Sequence, residues 1–134
     1  EKPFYMPLKY MNPPGVRVPV NYHHSVETPP NCKFLYVAGQ TGADIDGGVP
    51  EGIEAQAQLA FQGMQKVLTA SDYGLNDVVF MKTFLVNRED REGYQKVRET
   101  VWKDIRPAST FLIVSGLADP KYLVEVECIA AKPS

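Results

Sequence analysis

Glu125 and Glu127 have the most unusual placement of any ionisable groups in this chain. They lie in Leu-Val-Glu-Val-Glu-Cys-Ile-Ala-Ala, residues 123–131. There Val124, Val126, Cys128 and Ala130 alternate with Leu123, Glu125, Glu127 and Ile129, the period of a strand. A carboxylate in the middle of such a strand has two readings. It is washed by solvent and paired with a cation such as Lys82, or it is held in a cleft where it can position water or act as a general base.

Other reactive groups are sparse. His23 and His24 are adjacent, and neighbours on extended backbone point to opposite faces, so the pair chelates poorly and no metal site is predicted. Cys32 sits in a Pro-rich turn, and Cys128 reads as a small core filler. Two cysteines without a Cys-x-x-Cys make no disulfide framework, so a reduced, cytoplasmic protein is expected. The glycine-rich run Gly-Gln-Thr-Gly-Ala-Asp-Ile-Asp-Gly-Gly, residues 39–48, fits neither a P-loop nor the dinucleotide fingerprint. Nucleotide binding is therefore set aside and no cofactor is predicted.

The elements that position these groups follow from periodicity. Residues 33–38, Lys-Phe-Leu-Tyr-Val-Ala, form a strand apolar on both faces. Residues 50–71 form the strongest helix, with Ile53, Ala57, Ala60, Phe61, Met64, Val67 and Leu68 on one stripe. Glu51 and Glu54 suit the positive end of its dipole. Residues 77–86 form a strand in which Lys82 interrupts an apolar run. Asn87-Arg88-Glu89-Asp90 offers capping residues for a second helix ending near Lys103, with Tyr94, Val97 and Val101 on its apolar side. Residues 110–114 and 123–131 form two further strands. Residues 1–33 are proline-rich. Lys9-Tyr10-Met11 reads as a short edge strand, residues 16–20 alternate, and residues 20–26 lead into another short strand.

Composition narrows the function classes. The 134 residues suit a single domain spanning 1–134. A net charge of −2 and the lack of a basic run argue against nucleic-acid binding. No apolar run is long enough to span a membrane, and residues 1–7 show no signal-peptide core.

Two helices cover one face of a mixed sheet, which predicts an α+β fold. Yet residues 34–38, 78–86 and 111–114 are apolar on both faces. Leaving such side chains bare costs about 1.5–3 kcal/mol each, and a contiguous bare patch marks an interface. A homo-oligomer packed through the uncovered sheet face is expected, with Glu125, Glu127 and Lys82 near the subunit boundaries.

Taken together, Phe34-Leu35-Tyr36-Val37-Ala38-Gly39-Gln40, the helix from Ile53, the strand ending at Val86, Arg106-Pro107-Ala108-Ser109 and Val124-Glu125-Val126-Glu127-Cys128-Ile129-Ala130 resemble the Rid (YjgF) family, also called endoribonuclease L-PSP or translation inhibitor. The ordered set spans about residues 22–131. The resemblance implies a chorismate-mutase-like fold and a homotrimer whose sheets form a central barrel, with three clefts between subunits. It implies cofactor-free hydrolysis of reactive imines or enamines such as 2-aminoacrylate. An arginine holds the substrate carboxylate and a glutamate positions the water.

Carried over by residue, Tyr22 matches the cleft tyrosine, Gly39 the glycine after the strand, and Glu125 the water-positioning glutamate. Four positions depart from the pattern. Ser109 stands where active deaminases carry the arginine, Ala38 replaces a serine, Arg98 falls at a cleft asparagine, and Phe111 replaces a cysteine. A serine hydroxyl cannot replace the paired charge-assisted bonds of a guanidinium. Arg98 could supply the clamp instead, against the alternative of a solvated helix-surface arginine; Arg106 is a further candidate. Two functions follow: a hydrolase of a small, carboxylate-bearing metabolite using Glu125 and Tyr22, or a trimeric ligand-binding regulator that has lost deamination. A ribonuclease, suggested by the older family name, has no basic groove to support it.

Overall fold

The computed structural model describes residues 7–134. Residues 1–6, most of the stretch in which a signal-peptide core was sought, lie outside them. Strand β1 (Lys9–Met11) pairs antiparallel with β2 (Ser25–Glu27) as a separate two-stranded sheet. The main sheet holds β3 (Cys32–Thr41), β4 (Val78–Leu85), β5 (Ala108–Ile113) and β6 (Val124–Pro133) in the order β3-β6-β4-β5. Strand β6 runs antiparallel to both neighbours, while β4 and β5 are parallel, so the sheet is mixed. The two C-terminal strands are therefore separated by β4.

Helices α1 (Ile53–Ala70) and α2 (Arg91–Trp102) lie on one sheet face. Register makes this explicit. Gln40, Val126, Thr83 and Phe111 form one row across the four strands. Gln40 approaches Gly63 of α1, and Thr83 and Phe111 both meet Tyr94 of α2. Phe61 of α1 stacks against Tyr94 and Trp102 of α2, with ring centroids 5.9 and 6.1 Å apart. The next row, Thr41, Glu125, Phe84 and Leu112, faces away from the helices. Bare apolar surface accompanies it: Phe34 is 47% exposed, Tyr36 74% and Leu112 41%.

Several local expectations change. Helix α1 starts at Ile53 because Gly52, at φ 89°, turns the chain into it, so Glu51 lies before the helix and only Glu54 is in its first turn. Val67 is exposed, at the margin of the stripe, whereas Gln56 is buried in it. That side chain is satisfied: Nε2 donates to the Pro50 and Lys121 carbonyls, and Oε1 accepts from Leu123 N. Residues 16–20 form no strand, and Val16, Val18 and Val20 are exposed. No side chain of 87–90 caps α2; a 3₁₀ turn (Arg88–Asp90) leads into it instead. Lys9–Met11 and Cys128 behave as expected, the latter buried in the core.

Candidate functional site

Glu125 occupies the open face of β6, between Thr41 on β3 and Phe84 on β4. Its carboxylate rests directly over Gly39. A β-carbon placed on Gly39 would collide with Oε2 and stand 2.7 Å from the carboxyl carbon. The backbone does not demand glycine here, since Gly39 is not among the residues of positive φ. The side chain above it does. The register explains the approach: between Val37–Cys128 and Gln40–Val126, two residues of β3, Ala38 and Gly39, oppose the single Glu127 of β6. Such a bulge re-aims the local side chains. Two residues matched to one cleft, Gly39 and Glu125, are thus in contact.

Glu125 is not the solvated partner of Lys82. Lys82 stands directly opposite Glu127, over the Phe80 ring at 5.9 Å. The ion pairs among the described residues are Lys96–Glu54 and Lys132–Asp72. A half-buried carboxylate with no cation is an acceptor with spare lone pairs, able to hold a water molecule or a ligand N–H.

On the helix side, Tyr94, Arg98 and Trp102 follow each other at four-residue intervals on α2, which stacks them along one helix face. All three are buried, Arg98 to 3% exposure, which rules out the solvated-arginine alternative. The Tyr94 hydroxyl and Thr83 Oγ1 share a 2.5 Å hydrogen bond, and burial pushes the Tyr94 hydroxyl up to about 12. Burial also lowers the proton affinity of Arg98; Tyr94 and Glu99 oppose the shift, while Arg106 adds to it. Among the described residues, Arg98 Nη2 and Trp102 Nε1 are buried donors without an acceptor. Phe111 lies on this side, 5.6 Å from the Tyr94 ring and 5.4 Å from the Arg91 guanidinium. Strand alternation places Ser109, two residues earlier and half-buried, on the same side.

Tyr22 belongs to this second group. The backbone at His23 bridges Ala108 in parallel, and His23 N donates to the Pro107 carbonyl at 3.3 Å. His23 Nδ1 lies 2.6 Å from the Arg106 carbonyl, whereas His24 Nε2 lies 2.7 Å from the Arg17 carbonyl. The Tyr22 ring meets His24 edge-on at 5.6 Å. Asn21 Nδ2 donates to Gln95 of α2 at 2.9 Å. The segment therefore extends the sheet beyond β5, on the edge opposite β3.

The candidate residues thus form two groups. Gly39 and Glu125 lie at the β3–β6 edge on the open face. Tyr22, Arg98, Ser109 and Phe111 lie at the β5 edge, the last three on the helix side. Glu125, on β6, stands only two inter-strand steps from Ser109 and Phe111 on β5, about 10 Å at ~4.8 Å per step, but on the opposite face, so the sheet itself lies between the two groups. A small ligand cannot touch both groups within one chain. Sequence reasoning missed Trp102 and Thr83; the i, i+4, i+8 spacing of Tyr94, Arg98 and Trp102 was the available signal. A cleft of ≈ 790 Å³ elsewhere, lined by Glu51, Glu54, Asp90, Lys96 and Thr100, contains none of these residues.

Comparison with known proteins places these features in context. Residues 16–132 match the family model described as endoribonuclease L-PSP. The RutC family protein UK114 of Drosophila melanogaster is 36% identical over 101 residues, 73% of this chain and 72% of the relative. The RutC family protein PH0854 of Pyrococcus horikoshii is 32% identical over 74% of this chain and 79% of its own length. Among solved structures, YyfB from Yersinia pestis, described as a protein of unknown function of the conserved Rid family, superposes with a TM-score of 0.82 at 26% identity, covering 93% of this chain and 98% of that one.

Proposed function

The chain belongs to the endoribonuclease L-PSP family, the Rid or YjgF group, and from that premise we propose that it hydrolyses a small imine or enamine metabolite in clefts between copies of itself. Glu125 orients the attacking water. Hydrolysis then releases ammonia and leaves a carbonyl, and needs no cofactor. The observation that carries this reading is the Glu125 carboxylate seated over Gly39, without an ion pair among the described residues, beside the apolar ring of Phe84.

A closed ring of copies, taken as the homotrimer with a central barrel of sheets, brings the two groups of residues together. One chain supplies Glu125 and Gly39. Its neighbour supplies Tyr22, Ser109 and Phe111, and Arg98 takes the ligand carboxylate in place of the arginine absent at position 109. Supporting this are the bare Phe34, Tyr36 and Leu112 on the sheet face, which need covering, and the sheet itself, which lies between the two groups within one chain.

Ser109 favours a second reading, a ligand-binding regulator without turnover, because its single neutral hydroxyl grips a carboxylate weakly. Ammonia release from freshly generated 2-aminoacrylate or 2-iminobutyrate separates the two. The hydrolase reading expects release by wild type and background rates in Glu125→Ala. Background rates in both, with saturable carboxylate binding, select the regulator.

A further inference from the structure

Most buried polar side chains here are satisfied. Thr83 has Tyr94, and Gln56 has three backbone partners. Two exceptions stand out among the described residues, and they are neighbours: Arg98 Nη2 and Trp102 Nε1, one helical turn apart on the buried stripe of α2. An unpaired buried donor is costly, and one on a charged group more so; the Arg98 head group has Tyr94 as a partner, but its Nη2 has none. No carboxylate of the described residues forms an ion pair with Arg98, and Arg106 adds a second positive charge nearby. The Glu99 charge favours the guanidinium from nearby, yet neither of the two buried donor atoms has an acceptor among the described residues.

We propose that Arg98 and Trp102 form a single oxyanion subsite, in which the guanidinium and the indole N–H each donate to one oxygen of the same carboxylate. Side chains four apart on a helix have β-carbons about 5–6 Å apart, so their tips can address one small planar group. The guanidinium supplies charge and a planar fork; the indole, which can only donate, adds a second fixed direction. The Tyr94–Thr83 bond braces the stripe from below, holding Tyr94 where it interacts with the Arg98 head group. This rests on the reading above that Arg98 takes the ligand carboxylate. It extends that reading by making Trp102 the second donor and by restricting the ligand to groups with two adjacent acceptor oxygens; a lone hydroxyl or a neutral amide fits poorly.

Trp102 is the only tryptophan in the chain, so its indole N–H gives one resonance in an ¹H–¹⁵N spectrum. The full-length chain is titrated with sodium acetate, using sodium chloride at matched ionic strength as control. A saturable downfield shift with acetate alone is expected, together with a rise in the thermal unfolding midpoint over the chloride control. In Arg98→Lys the acetate affinity falls about tenfold or more. An indole resonance that responds equally to acetate and chloride overturns the proposal. So does a shift whose midpoint is unchanged in a folded Arg98→Lys chain. If that variant does not fold, the wild-type resonance and unfolding midpoint decide. Acetate binding needs no turnover. A chain that binds acetate through Trp102 but releases no ammonia keeps this subsite and removes the hydrolase reading; a chain that turns over without the indole shift removes the subsite alone.

Discussion

Replacing Gly39 by alanine tests whether the carboxylate above it is a tool or a passenger. An added β-carbon meets the carboxyl carbon of Glu125 at 2.7 Å and collides with Oε2, whereas ordinary contact begins near 3.4 Å. The carboxyl carbon must retreat by about 0.7 Å, and the oxygen by more. The atoms that yield are the far end of a flexible side chain, and the backbone at Gly39 has no positive φ. The fold therefore survives, and removing glycine freedom from the unfolded chain can even contribute about 0.4–1 kcal/mol. Catalysis does not tolerate the same shift. A misplacement of about 1 Å commonly costs about 100-fold, so kcat/KM should fall roughly 10- to 100-fold with little change in the unfolding midpoint. The assay is ammonia release by wild type, Gly39→Ala, Glu125→Ala and the double variant. Once the carboxylate is gone, the added methyl has nothing to displace, so the double variant should match Glu125→Ala alone. A Gly39→Ala chain with wild-type kcat/KM, or one unfolded in both backgrounds, would refute the reasoning.

Other outcomes follow from the same geometry. If each cleft draws on two chains, as proposed, mixing Glu125→Ala chains with Arg98→Lys chains under conditions that let subunits exchange should restore activity; random assembly leaves about one cleft in four with both native residues. Tyr36→Glu puts a charge on the exposed sheet face and should shift sedimentation of the proposed oligomer toward the monomer, with the monomer still helical by circular dichroism. Phe61→Ala removes the ring shared by Tyr94 and Trp102 and should lower unfolding free energy by about 3–5 kcal/mol in urea. At high pH, Tyr94 and Cys128 both matter. Burial raises each to about 12, from 10.0 and 9.0, so the folded state holds protons that the unfolded state has lost. Stability should decline from about pH 9 as pH rises toward 12, by up to about 1.4 kcal/mol per pH unit for each group, read as a falling urea midpoint.

The sequence carried the period-two and period-3.6 patterns, and with them all four strands of the main sheet and both helices. It also carried the bare sheet face, because strands 34–38 and 78–86 had more apolar surface than two helices could cover. What it hid was set by tertiary packing. Arg98 reads either as a cleft clamp or as a solvated surface residue, because arginine is rarely buried, and the aromatic residues one turn to either side carry it inward. Gln56 lies on the apolar stripe as a polar residue, and its three backbone partners lie outside α1 or at its threshold. The collision at Gly39 requires β6 to lie beside β3, a pairing between residues far apart in sequence. The strand order was equally illegible: residues 108–113 and 124–133 follow one another but never pair.

The polar groups on the sheet divide by where their partners are. On the helix side Thr83 bonds to Tyr94 and Gln40 Nε2 returns to the Ala38 carbonyl, so those positions are settled within the chain. On the open side Glu125, Glu127 and Lys82 make no ion pair among the described residues, though Lys82 and Glu127 stand directly opposite. A sheet face that is half apolar and half unpaired charge suits neither bulk water nor a dry core. It suits the proposed seam, in which the apolar rows would bind a second copy and the charged positions would stay at the wet margin. Arg98 Nη2 and Trp102 Nε1 repeat that condition on the other side: buried, and without an acceptor among the described residues. Buried polar groups in native proteins are almost always paired. Partners for the acid on one face and the donors on the other are what the proposed inter-subunit cleft would supply, with both meeting on one ligand.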